Sequence, residues 1–497
     1  MLRNWTSHQT FQETLISELN YIKIHSHERI KQYDDIISKV YLLDLEPAFQ
    51  ILSPFYSSKG RPALYQAEIL RSLVVMSHLR IDSITQWVKM LRSDSIFRII
   101  CGFPNDYCPG VGNFYDFLHR FWNEPIPNIK ALRAPYRKPR KKLKGGEKLP
   151  PKHMGVVDTL VERALACRPI KSPEATLQKL LLELAIKPSA DLNLLGNPDN
   201  LVLAGDGTPL PSGANHRGVK VCDCVSNRVY NCDCHRRFSD PNARWGWDSY
   251  RKEWYYGYSC YIFTAADSPN DLPLFFTMAQ ANRHDSILAA ISIPQVVSSL
   301  DNMTVTTFLG DSAHDAMSIY RLNMELGINP VIDLNARNKG GSSLLGSIGI
   351  TQDGVPICSA EHPMVNWGFC KDRMRIKWRC PLACGKLDSC SCQNECSQSS
   401  YGRVIYTYPN SNYRLFTPIP RGTQRWKDIF KKRTSVERTN KRTKVDYALQ
   451  NTKARTKCHM AWRVLLSFVN QHADAWLQTS KATDILDQIR NQISHAA

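Results

Sequence analysis

The chain has 497 residues, and at about 150 residues per domain that length suggests two to four domains rather than one core. Apolar residues make up 43%, enough to build real cores, and 64 Lys and Arg against 45 Asp and Glu leave a formal charge of +19, which points to a polyanionic partner, nucleic acid first and an acidic membrane surface as the rival. No apolar run approaches the roughly 18 residues a membrane span needs, and residues 1–20 lack a signal-peptide core, so the expectation is a cytosolic chain that does not cross the membrane.

Residues 1–130 read as an all-α N-terminal domain. Pro62 opens an apolar-periodic segment, Ala63 to His78; a second runs from Ser83 to Cys101, with Asp82 or Ser83 as its N-cap. A Gly/Pro-rich break, Gly102 to Gly112, leads into an amphipathic stretch, Asn113–Trp122. Short helices separated by tight breaks suit a compact module that holds DNA, and equally a bundle with no ligand. Residues 131–200 read as a basic linker and a helical segment. Between Arg133 and Lys152 lie nine Lys or Arg, one acid (Glu147), four prolines and two glycines, a composition that does not fold alone and carries enough charge to follow a phosphate backbone. Ala175–Ile186 is the clearest helix beyond it.

From residue 201 the pattern alternates. Leu201–Ala204 is a short apolar run ending in Gly205-Asp206-Gly207. Trp254–Phe263 and Leu272–Ala279 read as strands, and Ser286–Ile293 as a helix that Pro294 ends or kinks. Thr304–Leu309 is a strand ending in Gly310-Asp311, Ser312–Leu326 a helix and Asn329–Leu334 a fifth strand. By analogy, that order is the one expected of a ribonuclease-H-like mixed sheet, an α/β catalytic domain over 201–480. Residues 335–425 break the rhythm. They hold seven cysteines in Gly/Ser/Asn-rich sequence with strand-like pieces at Gly402–Tyr408 and Arg414–Phe416, and read as a β/loop-rich insertion. After Gly422 there is neither glycine nor proline, so the C-terminal stretch is expected to be largely helical.

Asp206 and Asp311 occupy equivalent places, each after an apolar strand and one glycine. Carboxylates there belong to the rim where open α/β sheets keep their ligands, and the glycines would let a metal and a phosphate approach the backbone. Either Asp could instead be a turn residue or a helix cap, Asp311 before Ser312 above all. His284-Asp285 could assist nearby or simply cap the next helix.

The most informative segment is Phe430-Lys-Lys-Arg433-Thr-Ser-Val-Glu437-Arg-Thr-Asn-Lys-Arg-Thr-Lys444. On one helix at about 100° per residue, Phe430, Arg433, Glu437 and Lys444 share a stripe: a hard oxygen ligand for a metal, two cations to neutralise phosphate and an aromatic face for a base. A basic solvated helix with Arg433–Glu437 as an i,i+4 pair has the same spacing.

The spacing aromatic-x2-Arg-x3-Glu-x6-Lys resembles the signature of bacterial insertion-sequence DDE transposases, whose first position is normally Tyr. Gly205-Asp206-Gly207-Thr208 and Gly310-Asp311 resemble that family's two Asp motifs in the same order, and Gly60-Arg-Pro through Phe103 its common N-terminal domain. The resemblance implies an acidic triad of Asp206, Asp311 and Glu437 holding two divalent ions, Mg²⁺ or Mn²⁺, for DNA cleavage and strand transfer. It implies Arg433 and Lys444 on DNA phosphates, with Phe430, Arg438 and Lys441 completing the DNA-binding set. Phe430 keeps the stacking face of the usual Tyr but lacks its hydroxyl. The partners implied are double-stranded DNA, as terminal inverted repeats and target, and a second copy of the chain in a homodimeric DNA complex, with no membrane. The compartment implied is the bacterial cytoplasm, with nucleoid association through DNA. The alternatives are a transposase-derived DNA-binding protein without catalysis, a zinc-organised nucleic-acid-binding scaffold in which the carboxylates are merely caps, and a structure-specific nuclease without strand transfer.

Sixteen cysteines in a cytosolic chain read as thiols and metal ligands rather than disulfides. Nine fall in two clusters: Cys222, Cys224, Cys232 and Cys234, followed by His235, and Cys380, Cys384, Cys390, Cys392 and Cys396. Either cluster, or the two combined, offers four ligands for structural zinc; unligated thiols are the alternative. Aromatic and basic residues interleave from Arg244 to Tyr256, a stretch that could stack on unpaired bases or contribute alternate residues to a sheet core.

Overall fold

The computed structural model describes Leu2 and residues 4–135, 154–168, 170–335, 344–345, 348–391 and 396–479. Most of the basic run, Cys392 and residues 480–497 lie outside the described residues. No helix among the described residues is long and apolar enough to cross a membrane.

The N-terminal part is helical: α1 (His8–Lys31), α2 (Asp34–Leu42), α3 (Glu46–Leu52), α4 (Gln66–His78), α5 (Ile84–Ser93), α6 (Ser95–Cys101) and α7 (Val111–Arg120). Ser83 is the cap of α5, its Oγ accepting from Gln86 N at 3.3 Å. The expected single helix from 83 to 101 is two helices. Asp94 is extended and its carboxylate accepts from Ile96 N at 3.0 Å, so a short polar side chain closes α5 and caps α6. Strand β1 (Leu132–Arg133), α8 (Val156–Leu165), α9 (Ala175–Leu181) and α10 (Lys187–Asp191) follow, with one wide helical turn joining the last two.

The sheet begins with β2 (Leu201–Pro211), then β3 (Val219–Lys220), β4 (Arg236–Arg237), β5 (Arg244–Asp248), β6 (Glu253–Ala265), β7 (Pro273–Gln280), α11 (Asp285–Ser299), β8 (Val305–Gly310), α12 (Met317–Glu325) and β9 (Asn329–Ile332). Its strand order is β5-β6-β2-β8-β9, with β7 on the other side of β6. Strands β2, β6 and β7 form an antiparallel meander, while β8 and β9 add in parallel beside β2. Two local expectations change. Strand β2 does not stop before Asp206; antiparallel pairing with β6 carries it on to Pro211. Pro294 lies inside α11, which runs on to Ser299 because its apolar face, including Leu288, Ile293 and Val296, is buried on both sides of the proline.

The described residues between 344 and 416 are strands and loops: β10 (Leu344–Leu345) with β11 (Ile348–Gly349), and an antiparallel sheet of β12 (Val365–Cys370), β13 (Arg375–Arg379) and β14 (Val404–Thr407). This segment has a small core of its own, built on Ile350, Met364, Ile376, Trp378, Ile405 and Phe416. Arg414–Phe416 is a turn rather than a strand, because Asn412 Oδ1 accepts from the backbone N–H of both Arg414 and Leu415 at 3.1 Å.

The chain ends in helices, α13 (Gln424–Lys431), α14 (Thr434–Lys441) and α15 (Lys457–Trp476). Helix α15 is buried along most of its length and joins the N-terminal helices to the sheet in one continuous apolar core. Its polar side chains lock the seam: Trp462 Nε1 donates to Leu118 O at 3.0 Å, Asn470 Nδ2 to Val74 O at 3.1 Å, and His472 bridges Ser189 Oγ (2.7 Å) and Pro273 O (2.8 Å).

Candidate active site

Strands β2 and β8 run parallel with Leu203 opposite Phe308 and Ala204 opposite Leu309. Two residues further along each strand are Asp206 and Asp311, so the register sets them side by side on one face, where β8 ends and β2 continues. A third carboxylate joins them. His284, not Asp285, caps α11, accepting from Ser286 N at 3.3 Å, and Asp285 lies against Gly207. A Cβ at Gly207 would sit 1.9 Å from Asp285 Oδ1, and one at Gly205 would sit 2.6 Å from the Tyr261 hydroxyl. The glycines flanking Asp206 thus make room for protein side chains, rather than for a phosphate approaching the backbone.

Asp311 does cap the short turn after it, accepting from Ala313 N at 3.0 Å, but it also accepts from His314 Nδ1 at 2.7 Å. His314 is fully buried and its Nε2 lies 2.7 Å from Tyr261 Oη. Burial opposes a charge on His314, yet the Asp311 hydrogen bond and the charges of Asp311, Asp285 and Asp206 outweigh it and raise its pKa. Burial likewise works against the Asp311 carboxylate, but the His314 contacts, with help from nearby Arg433, hold its pKa below the usual range. Asp206 goes the other way: burial, then Asp285 and Asp311, push it up to about 7. Burial also raises Asp285. The site thus sets three carboxyl groups around one buried histidine, with Asp206 and Asp285 raised and Asp311 lowered.

Helix α14 crosses above this cluster because the β6–β7 turn holds it. Asp271 takes a bidentate pair from Arg438, at 2.6 and 2.7 Å, and its carbonyl accepts from Thr439 Oγ1 at 2.7 Å. On the side toward the sheet, Asn440 Nδ2 donates to Asp206 Oδ2 at 2.9 Å. Glu437, three residues earlier on the same stripe, is half exposed and bonded to Arg433 at 2.7 Å. Among the described residues, the group of His, Cys, Asp or Glu whose ligand atoms all lie within 4.8 Å of one another is a cysteine quartet; Asp206, Asp285, Asp311 and Glu437 are spaced more widely than that.

The segment 430–444 is not one helix. Lys432, Arg433, Ser435 and Val436 bond back three residues rather than four, tightening the chain between α13 and α14, and Arg442–Asp446 is a wide turn. Arg433, Glu437 and Asn440 keep a common face. Phe430 belongs to α13, stacked on Trp426 with centroids 4.6 Å apart and planes at 15°. Lys444, on the wide turn, lies near Asp206, Asp248 and Arg251; burial lowers its pKa while the two aspartates oppose the shift. Arg438 is held by Asp271, and Lys441 is exposed. The aromatic-basic stretch forms the β5–β6 hairpin. Trp247 meets Trp254 edge-on at 5.5 Å, Tyr250 projects into solvent at the tip, and Tyr256 is core.

Sequence reasoning passed over His314, Tyr261 and Asn440 and read Asp285 mainly as a cap. His314 had a signal, three residues after Asp311 in a turn; Asn440 had one in its place on the Glu437 stripe. Tyr261 had none, since its role depends on strand pairing.

A mixed α/β chain with a helical front and an acid cluster beside cations is the class that sheet and site define. Residues 26–120, about a fifth of the chain, match the family "Transposase domain (DUF772)". The match contains 60–103 and supports a transposase-like function, and with it a DNA-acting enzyme with DNA as partner. No curated protein matches the chain.

Proposed function

We propose that the chain is a DDE transposase of the bacterial insertion-sequence kind, cutting DNA at transposon ends and joining the cut strand to a target by in-line phosphoryl transfer. The observation that carries the reading is the parallel register that sets Asp206 beside Asp311, under a helix that reaches Asp206 through its buried Asn440 and carries Glu437, paired with Arg433, on its exposed edge. The order of three antiparallel strands followed by two parallel ones supports a ribonuclease-H-like sheet.

Two Mg²⁺ or Mn²⁺ ions belong to this reading, and the donor set fits them: every candidate ligand is a hard carboxylate oxygen. Asp206, driven up to about 7 beside Asp285 and Asp311, carries a repulsion that cations relieve. Asp206, Asp311 and Glu437 would hold the ions, which supply activation of the attacking oxygen and stabilisation of the leaving one. His314 keeps Asp311 ionised and oriented. Asn440 fixes the Asp206 carboxylate. Arg433 and Lys444 lie near the acids, Arg433 by Asp311 and Lys444 by Asp206, where each can neutralise a phosphate of the bound strand. The DNA-binding role extends to Phe430, Arg438 and Lys441, and the complex with paired terminal repeats is homodimeric.

The test is incubation of the purified chain with the DNA flanking its own gene, with and without Mg²⁺, beside Glu437→Gln. Metal-dependent nicking that the variant loses while still shifting DNA mobility is expected. Cleavage by the variant at the wild-type rate removes Glu437 from the triad, and binding without any cleavage by the wild type favours a DNA-binding protein that has lost catalysis.

A further inference from the structure

We propose that Cys222, Cys224, Cys232 and Cys234 form a closed tetrathiolate site for one structural Zn²⁺, which fixes the long connection between β2 and β5. Their four Sγ atoms all lie within 4.8 Å of one another, with Cys222–Cys232 at 3.6 Å and Cys224–Cys234 at 3.5 Å. A tetrahedral ion with Zn–S of about 2.3 Å sets its sulfurs about 3.8 Å apart, so the quartet has the right spread, whereas a disulfide would need about 2.05 Å. All four are free thiols.

The local chain explains the convergence. Around each Cys-x-Cys exposure alternates, the cysteines being less exposed than the residues on either side, and a run of turns from Asp223 to Arg228 folds the chain back between the two pairs. Strands β3 and β4 are antiparallel partners, Val219 with Arg237 and Lys220 with Arg236, which brings the pair that follows β3 opposite the pair that precedes β4. Lys220 and Arg236 turn back over the loop: Lys220 Nζ donates to Tyr230 O, and Arg236 donates to Cys232 O at 2.8 Å and Arg217 O at 3.0 Å. These two cations flank a site that would carry a net charge of about −2 once four thiolates bind one Zn²⁺.

The segment also needs such a staple. From Ser212 to Asp240 only Cys232, Phe238 and Asp240 are buried, while Val219, Val221, Val225, Val229 and Tyr230 are exposed. No apolar core holds the far end of this loop, and small elements without a core are pinned by metals or disulfides. The near end has an anchor in Asp240, which accepts from Ser212 Oγ (2.6 Å), Tyr258 Oη (2.6 Å) and Thr456 N (2.9 Å). The ion is the second anchor. Because β4 is the middle strand of a small sheet, it also fixes β1 at the exit of the N-terminal helices. Four protein ligands leave no open position, so the role is structural.

Elemental analysis of the purified full-length chain tests this. About one zinc per chain is expected, lost in Cys222→Ser/Cys234→Ser and kept in Cys380→Ser/Cys384→Ser. Co²⁺ in place of zinc should give thiolate-to-metal charge transfer and the intense visible bands of a tetrahedral site. Should the loop variant fold poorly, chelator treatment of the wild type gives the second reading: zinc release with new tryptic cleavage at Arg217, Lys220 or Arg228 supports the site. Zinc retained by the loop variant, zinc lost equally from both variants, iron in its place, or a metal-free wild type would each overturn it.

Discussion

Asn440 donates to Asp206 across 2.9 Å, joining a helix read from the last fifth of the sequence to a strand more than two hundred residues earlier. Asn440 is buried and its Oδ1 has no protein partner, so its amide is committed to the carboxylate. That makes it a positioning residue for the proposed chemistry. Asn440→Ala is expected to slow DNA cleavage roughly 10–100-fold, as removal of supporting partners does at metal sites, and to raise the Mg²⁺ concentration for half-maximal rate, with DNA affinity unchanged. Cleavage against Mg²⁺ concentration measures this. A variant that cuts more slowly but has an unaltered Mg²⁺ dependence would make Asn440 merely structural.

The acid cluster predicts a coupling between pH and divalent cations that needs no DNA. Asp206 rises from an ordinary 3.8 to about 7 on folding, and Asp285 moves in the same direction. A raised carboxyl binds its proton more tightly in the folded state. Its contribution is therefore present at low pH and lost as pH climbs from about 4 to 7. Without metal, melting temperature should drop over that window by at least about 3 °C, superposed on other titrations. Asp206→Asn should flatten the drop. Mg²⁺ or Mn²⁺ should raise the melting temperature at pH 8 and do little at pH 5, where protons occupy the ligands. Thermal melts of both proteins, with and without Mg²⁺, decide; equal stabilisation at both pH values would place the cation elsewhere.

Much of this site was legible in the chain, and the reasons are physical. Asp206 and Asp311 stood out because an apolar strand followed by Gly-Asp is a local signal, and their pairing follows from two parallel strands of matching phase. Glu437 and Arg433 stood out through helical spacing. Asp285 misled because a carboxylate at a helix start has a cheap local use; only the register of β2 against the turn before α11 shows that it faces Gly207 while His284 makes the cap. The continuous helix expected over 430–444 failed for a similar reason: composition says helix throughout, but Asp271 grips Arg438 and Thr439 and the ladder adjusts on either side. The burial of α15 between the N-terminal helices and the sheet depends on contacts hundreds of residues apart, which periodicity cannot show.

Lys444, expected on a DNA phosphate, and Arg438, expected in the same DNA-binding set, have different surroundings. Lys444 lies near Asp248 and Asp206, and burial lowers its pKa, so a bound phosphate would offset its lost hydration. Arg438 already has a bidentate carboxylate partner in Asp271. Lys444→Ala should flatten the salt dependence of cleaved-end binding by about one phosphate contact. Arg438→Ala should leave that slope nearly intact and instead lower cleavage by loosening α14 over the sheet. Binding titrations at several salt concentrations distinguish the two; equal slope changes in both variants would mean that Arg438 leaves Asp271 for DNA.

Helix α15 carries a weakness to acid. His472 on it, His459 on it and His78 at the end of α4 are each pushed down to about 4, chiefly by burial. In its neutral form His472 donates from Nε2 to Pro273 O and accepts at Nδ1 from Ser189, whose Oγ also accepts from Trp476 Nε1 at 2.7 Å; protonation would force the serine hydroxyl to turn around. A histidine whose pKa falls from 6.5 to about 4 on folding contributes stability that is complete above 6.5 and disappears as pH falls toward 4, on the order of 3 kcal/mol for a fully buried ring. Acidification from pH 7 to 4.5 should therefore loosen the seam between the N-terminal helices and the sheet, opposing the carboxyl effect over the same range. The difference between His472→Gln and wild type cancels the carboxyl contribution. Urea unfolding at pH 7 and pH 4.5 should find the variant less stable than wild type at pH 7, with the gap shrinking by roughly 2–3 kcal/mol at pH 4.5. A gap that stays constant would mean that His472 is already charged within the fold, or titrates no differently when unfolded.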